Sequence, residues 1–185
     1  DTRFGMEIFD LTDIVKDCSF SVFSGAVAGG GSVRGITAKN AVTTYTRKEI
    51  DKLTEYVKGI GAKGLAYVRW VEDEPTCSFG KFMKEGELAA ILSEIGAKKG
   101  DTVLIVADKT NTVLSTLGSL RLTVAKKLDI IPEGFNFLWI TEFPFFEYNE
   151  ETQHWDAMHH PFTMPLDDFL EYLETDDITA RPDSL

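Results

Sequence analysis

Two adjacent histidines, His159 and His160, stand just before Pro161 and follow an aromatic stretch, Phe143-Pro144-Phe145-Phe146-Glu147-Tyr148. They are the side chains best suited to chemistry, because an imidazole near neutral pH can move a proton, ligate a metal or hydrogen-bond a carboxylate. On an extended strand, however, neighbouring side chains point to opposite faces, so the pair does not grip one ion together. His154 and Asp156 share His160's face, but a ligand spacing such as H-E-x-x-H is absent and no metal site is expected. From the residues alone, His159 is better read as a half-exposed strand histidine than as a ligand.

The other candidates have simpler readings still. Gly29-Gly30-Gly31-Ser32-Val33-Arg34 lacks the G-x-x-x-x-G-K-[ST] phosphate loop, and Arg34 stands where G-x-G-x-x-G needs its third glycine. A hairpin turn is the expected role, since consecutive glycines supply the positive φ of a tight reversal. Lys98-Lys99, Arg121 and Lys126-Lys127 are the best basic positions, and they read as a solvated face because no aromatic residues interleave to stack on bases. Asp167, Asp168, Glu171, Glu174, Asp176 and Asp177 read as a solvated helix face, because nothing nearby distinguishes one acid from another as a catalytic pair would require.

The elements that position these residues follow from periodicity. Thr12 caps a short helix with Ile14 and Val15, and Phe20, Val22, Ala26 and Val27 suggest a strand that turns at the glycines into Val33–Thr37. Thr46 and Glu49 make a capping box for a helix with Ile50, Leu53, Tyr56 and Val57 inward, ending near Gly61. A strand over Leu65–Val71, a helix over Glu85–Ile95 stopped by Gly96, and a continuous apolar strand over Thr102–Ala107 come next. The longest helix is expected from Thr110 to about Leu128, with Val113, Leu114, Leu117, Leu120 and Val124 inward. Strands separated by helices, with a hairpin in front, argue for an α+β two-layer sandwich rather than a parallel doubly wound sheet. Beyond Pro132-Glu133-Gly134 a strand (Phe137–Thr141), a hairpin (Phe143–Tyr148 and His154–His160) and an acidic helix (Pro165–Glu174) are too little to close a core of their own.

Composition bounds the function. The chain has 185 residues, 43% of them hydrophobic and 11% aromatic, enough for a sizeable core. No apolar run approaches the roughly 18 residues of a membrane span, and the start resembles no signal peptide, so a soluble protein is expected. Cys18 and Cys77 are too few and too far apart in sequence for a metal knuckle, so two reduced cytosolic thiols are the default. The net charge of −11 is concentrated: residues 136–185 hold 12 acids against the single base Arg181, while the first 135 residues balance at 18 of each sign. A polyanion partner is disfavoured along that acidic stretch but not on the neutral part.

Several stretches carry a family resemblance in order along the chain. Arg3-Phe4-Gly5-Met6-Glu7-Ile8, Asp10-Leu11-Thr12-Asp13, Gly61-Ala62-Lys63-Gly64-Leu65-Ala66, Val106-Ala107-Asp108-Lys109, Leu117-Gly118-Ser119-Leu120-Arg121, the aromatic stretch and Ala157-Met158-His159-His160-Pro161-Phe162-Thr163 are similar to the central segment of bacterial aspartyl-tRNA synthetases. The resemblance implies a GAD insertion domain over residues 19–134, a lead-in from the class II catalytic domain over 1–18, and a partial strand-hairpin-helix return into that domain over 135–185. It implies an aspartate-tRNA ligase parent that uses ATP and Mg²⁺ to form aspartyl adenylate, charges tRNA(Asp), is a homodimer and is cytoplasmic. The matching histidine that contacts substrate aspartate is His159; His160 and Thr163 match only the surrounding motif. Arg34 is not carried over, because the family's glycine-rich stretch with a carboxylate-binding arginine follows the histidine motif, whereas here the glycines precede it. The segment would lie between the second and third class II motifs, without the anticodon-binding domain. No catalytic or cofactor-binding residue is therefore assigned, no cofactor is expected on these residues alone, and the piece is expected to be inactive by itself. Exposed Phe143, Phe145 and Phe146 would drive self-association of such a piece. The alternative from another class is an RNA-positioning or scaffolding GAD module of a tRNA-dependent amidotransferase.

Overall fold

The computed structural model describes residues 1–84, 86–141, 146–149 and 151–158. Two compact units divide the chain, Asp1–Phe135 and Asn136–Leu185. In the first, the element order is β1 (Phe9–Asp10), α1 (Thr12–Val15), α2 (Ser21–Ala28), β2 (Ser32–Ala38), α3 (Arg47–Ile60), β3 (Ala66–Arg69), β4 (Thr76–Cys77), a 3₁₀ turn (Gly80–Phe82), α4 (Glu87–Glu94), β5 (Thr102–Asp108) and α5 (Thr110–Lys127). The strands form one sheet in the order β1-β2-β5-β3-β4, and every pairing is antiparallel. The α+β class follows directly, with no parallel crossover.

Alternation along the two central strands explains the core. Ile36, Ala38, Leu104 and Val106 face one way and pack with Ile50, Leu53 and Val57 of α3 and Val113, Leu117, Leu120 and Val124 of α5. Val33, Val103, Ile105 and Val68 face the other way and pack with Leu11, Val15, Phe23, Phe79, Ile91 and Ile95. Helices thus lie on both faces of the sheet, where the sequence reading had one helical layer. This is why β5 is apolar without alternation: a strand covered on both sides has no wet face. α3 ends as expected at Gly61, with φ of 115°, and α4 stops at Gly96, with φ of 62°.

Several local expectations differ from what is found. Residues 21–28 form a helix and not a strand, because Phe23 reaches into the second core while Val22 stays 52% exposed. The glycines are accordingly a helix stop rather than a hairpin: Gly29, Gly30 and Gly31 donate their amides to Gly25, Val27 and Ala26 carbonyls, and Gly30 takes a φ of 77°. Gly31 then runs so close to β5 that a Cβ there would lie 2.3 Å from the Asp108 carbonyl oxygen. Leu114 and Tyr56, expected inward, are 38% and 40% exposed on the outer sides of their helices. Thr46 does begin α3 but makes no side-chain cap, and Glu49 pairs with Lys52 and Lys127.

In the second unit, β6 (Phe146–Asn149) and β7 (His154–Ala157) pair antiparallel, Tyr148 opposite Trp155 and Asn149 opposite His154. Residues 137–141 belong to no strand, although Phe137 and Trp139 are apolar and 91% and 93% exposed; an extended apolar pattern becomes a strand only when a ladder partner is beside it. The expected helix over 165–174, together with His159, His160, Phe143 and Phe145, lies outside the described residues.

Candidate functional site

The hairpin of the second unit is fixed by its polar turn. Asn149 accepts the amides of Glu151 and Thr152 at 3.0 and 3.2 Å on its side-chain oxygen and donates from its side-chain nitrogen to the Asp156 carboxylate at 2.8 Å. Gln153 closes the turn in the left-handed region at φ 56°, its amide bonded to the Asn149 carbonyl at 2.8 Å. Tyr148 and Trp155 meet edge to face with ring centroids 5.4 Å apart, a cross-strand aromatic pair that fixes the register. His154 is exposed on this hairpin, and its cross-strand neighbour is Asn149. The arrangement gives a two-stranded hairpin that leads to Met158, the last described residue before the histidine pair. Among the described residues no group of three or more His, Cys, Asp or Glu could hold a metal ion.

In the first unit three of the predicted basic positions, Arg121, Lys127 and Lys99, pair within the unit. Arg121 donates from Nε to the Met6 carbonyl at 3.0 Å and from Nη2 to the Gly5 carbonyl at 2.5 Å, and its guanidinium lies 4.7 Å from the centre of the Phe4 ring. Lys127 pairs with Glu49 and sits over the Tyr45 ring at 5.5 Å, while Lys99 pairs with Asp73 at 3.1 Å. Lysine hydrogen bonds, first from Lys127 and then from Lys52, pull the Glu49 carboxyl down to about 2. Burial, then the Glu49 charge, pushes the Tyr45 hydroxyl up to about 12. Arg34, excluded above as a ligand, pairs with Asp10 at 2.7 Å. Sequence reasoning passed over Asp101 and Asp108, two buried carboxylates that tie loops to the sheet. Asp101 accepts the Asn40 and Lys98 amides at 2.8 and 2.9 Å, and Asp108 those of Lys63 and Lys109 at 3.3 and 2.9 Å. Their only sequence signal is an acid placed at either end of an apolar strand.

Cavities open on the first unit among the described residues. One of about 630 Å³ is walled by Trp70, Met83, Leu88 and Leu92 beside α4. Another of about 560 Å³ lies between α2 and the Lys63–Ala66 segment. Both are mainly apolar, and neither gathers the nucleophile, base and oxyanion donors that a catalytic centre needs.

The GAD domain family model matches residues 23–117, which run from within α2 into the first half of α5 and so take in the sheet from β2 to β5. The chain belongs to the GAD domain family. The GAD-containing chain is also 53% identical over 178 residues to an aspartate–tRNA ligase of Ruminiclostridium cellulolyticum. It is 52% identical to an aspartate–tRNA(Asp/Asn) ligase of Lachnoclostridium phytofermentans and 52% to an aspartate–tRNA ligase of Clostridium novyi. In each case 95% of the chain is covered, and the chain spans 30% of the relative's length. At 95% of the chain, the identity reaches beyond residues 23–117 on both sides.

Proposed function

We propose that this chain is a segment of an ATP-dependent aspartate-tRNA ligase, with residues 19–134 as its GAD domain, 1–18 as the lead-in and 135–185 as the return into the catalytic domain. The observation that carries the reading is the 53% identity over 95% of the chain to a ligase of that name. Leu11 and Val15 of the lead-in join the GAD core, so in this reading the lead-in is folded onto the insertion. In the parent, His159 hydrogen-bonds the substrate aspartate, and the hairpin of β6 and β7 carries the chain towards it. The parent would use ATP and Mg²⁺, charge tRNA(Asp), work as a homodimer and reside in the cytoplasm. Among the described residues no group of three or more His, Cys, Asp or Glu could hold Mg²⁺, and no step is derived through the metal or the nucleotide. The relatives named above are ligases, and the amidotransferase alternative is not favoured. No described helix is long and apolar enough to cross a membrane.

The test is a pair of substitutions in the full-length parent. A charge-assisted hydrogen bond is worth about 1.5 to 3 kcal/mol, or roughly 10-fold to 150-fold in an equilibrium. His159→Ala should raise the KM for aspartate by that order while His154→Ala leaves it near the parent value. Equal, small effects of the two changes would reject the assignment of His159. Aspartate-dependent pyrophosphate exchange by the 185 residues alone is expected to stay at background.

A further inference from the structure

Gly5 and Met6 are consecutive residues in the left-handed region, with φ of 65° and 59°. A methionine occupies that region only when its surroundings hold it there. Arg121 is the holder, because its planar fork reaches both carbonyls at once, 2.5 Å to Gly5 and 3.0 Å to Met6, while its face covers Phe4. One residue earlier, Arg3 turns the other way. Its Nη1 donates to the carbonyls of Pro132 and Gly134 at 3.2 and 3.0 Å, and its Nε and Nη2 donate to the Asp1 carboxylate at 3.0 and 2.7 Å.

The incoming residues are therefore bound to α5, and the outgoing residues are bound to the incoming ones. We propose that Arg3 and Arg121 act as a single clasp, closing segments 1–6 and 132–134 into one stem anchored on α5. Arg121 touches neither Pro132 nor Gly134, yet it sets where Arg3 stands, so releasing it frees both segments. All the acceptors Arg121 uses and both outgoing ones are main-chain carbonyls, so the clasp reads backbone conformation rather than side-chain identity. A lysine at 121 would supply a point charge in place of the two-pronged fork. Asp10, further along the lead-in, pairs with Arg34 of β2 at 2.7 Å, so neither competes for the clasp.

Backbone ¹⁵N relaxation on the 185-residue chain tests this, since rigid backbone gives order parameters of about 0.85 and flexible backbone falls below about 0.6. In the parent sequence Gly5, Met6, Glu133 and Gly134 should be near the rigid value. Arg121→Ala should take all four below about 0.6, with β5 unchanged, and Arg121→Lys should move them the same way. Lys126→Ala, an exposed neighbour on α5, should leave them rigid. The clasp is overturned if Glu133 and Gly134 stay rigid while Gly5 and Met6 loosen in Arg121→Ala, or if all four are flexible in the parent. Should Arg121→Ala unfold β5 as well, Arg121→Lys decides on the same four residues.

Discussion

Replacing Phe23 by alanine would test the least expected element of this fold, helix α2. The Phe23 ring is fully buried and meets Phe20 and Phe79 at centroid distances of 4.8 and 5.1 Å, both edge to face. A phenylalanine buries roughly 200 Å²; at about 25 cal/mol per Å², the part beyond Cβ is worth about 2 to 3 kcal/mol. Loss of the two ring contacts and the cavity left behind bring Phe23→Ala to about 3 to 5 kcal/mol. Val22, one residue away, is 52% exposed, and Val22→Ala should change stability by less than about 0.5 kcal/mol. A strand over these residues would give the opposite order, because Phe20, Val22 and Ala26 would then face the core. Urea unfolding followed by tryptophan fluorescence measures both variants. A loss below about 1 kcal/mol for Phe23→Ala, or a larger loss for Val22→Ala, would refute the helical placement.

Gly31→Ala should cost more than about 3 kcal/mol, because its Cβ would press on Asp108 backbone atoms at 2.3 and 2.9 Å that cannot move without breaking β5. Gly30→Ala, with open space but a φ of 77°, should cost only about 1 to 2 kcal/mol in the same denaturation assay. Glu49 should titrate near 2 by carbon-detected NMR, moving up towards the ordinary 4.5 in Lys127→Met, since the Lys127 hydrogen bond is the main cause of its low value. Because the folded value lies below the unfolded one, this carboxylate's contribution to stability is complete above about 4.5 and is lost as the pH falls through about 2.

The parts legible in the sequence are those whose signal is local. Ile50, Leu53 and Val57 on α3, and Val113, Leu117, Leu120 and Val124 on α5, repeat at helical spacing, and the run from Val103 to Val106 announces a strand buried on both faces. Helix α2 was hidden because Val22, Gly25 and the three glycines weigh against a helix locally, whereas Phe20, Phe23, Phe79 and Phe82 meet only in the folded molecule. Arg121 stood out as a base but not as a clasp, since its acceptors are carbonyls 115 and 116 residues away and no side-chain pattern encodes them. The candidate site was legible only through the resemblance: two neighbouring histidines after a hairpin do not by themselves name a substrate.

The rims of the five-stranded sheet have a consequence for how the GAD domain meets other chains. Its outermost strands, β1 and β4, are two residues long, while β2 and β5 inside are seven. A foreign extended peptide arriving at β1 or β4 finds a strand of only two residues to pair with, a poor template for another strand. Strand-by-strand addition to this sheet is thus disfavoured at β1 and β4 by their shortness alone, since neither contains a proline.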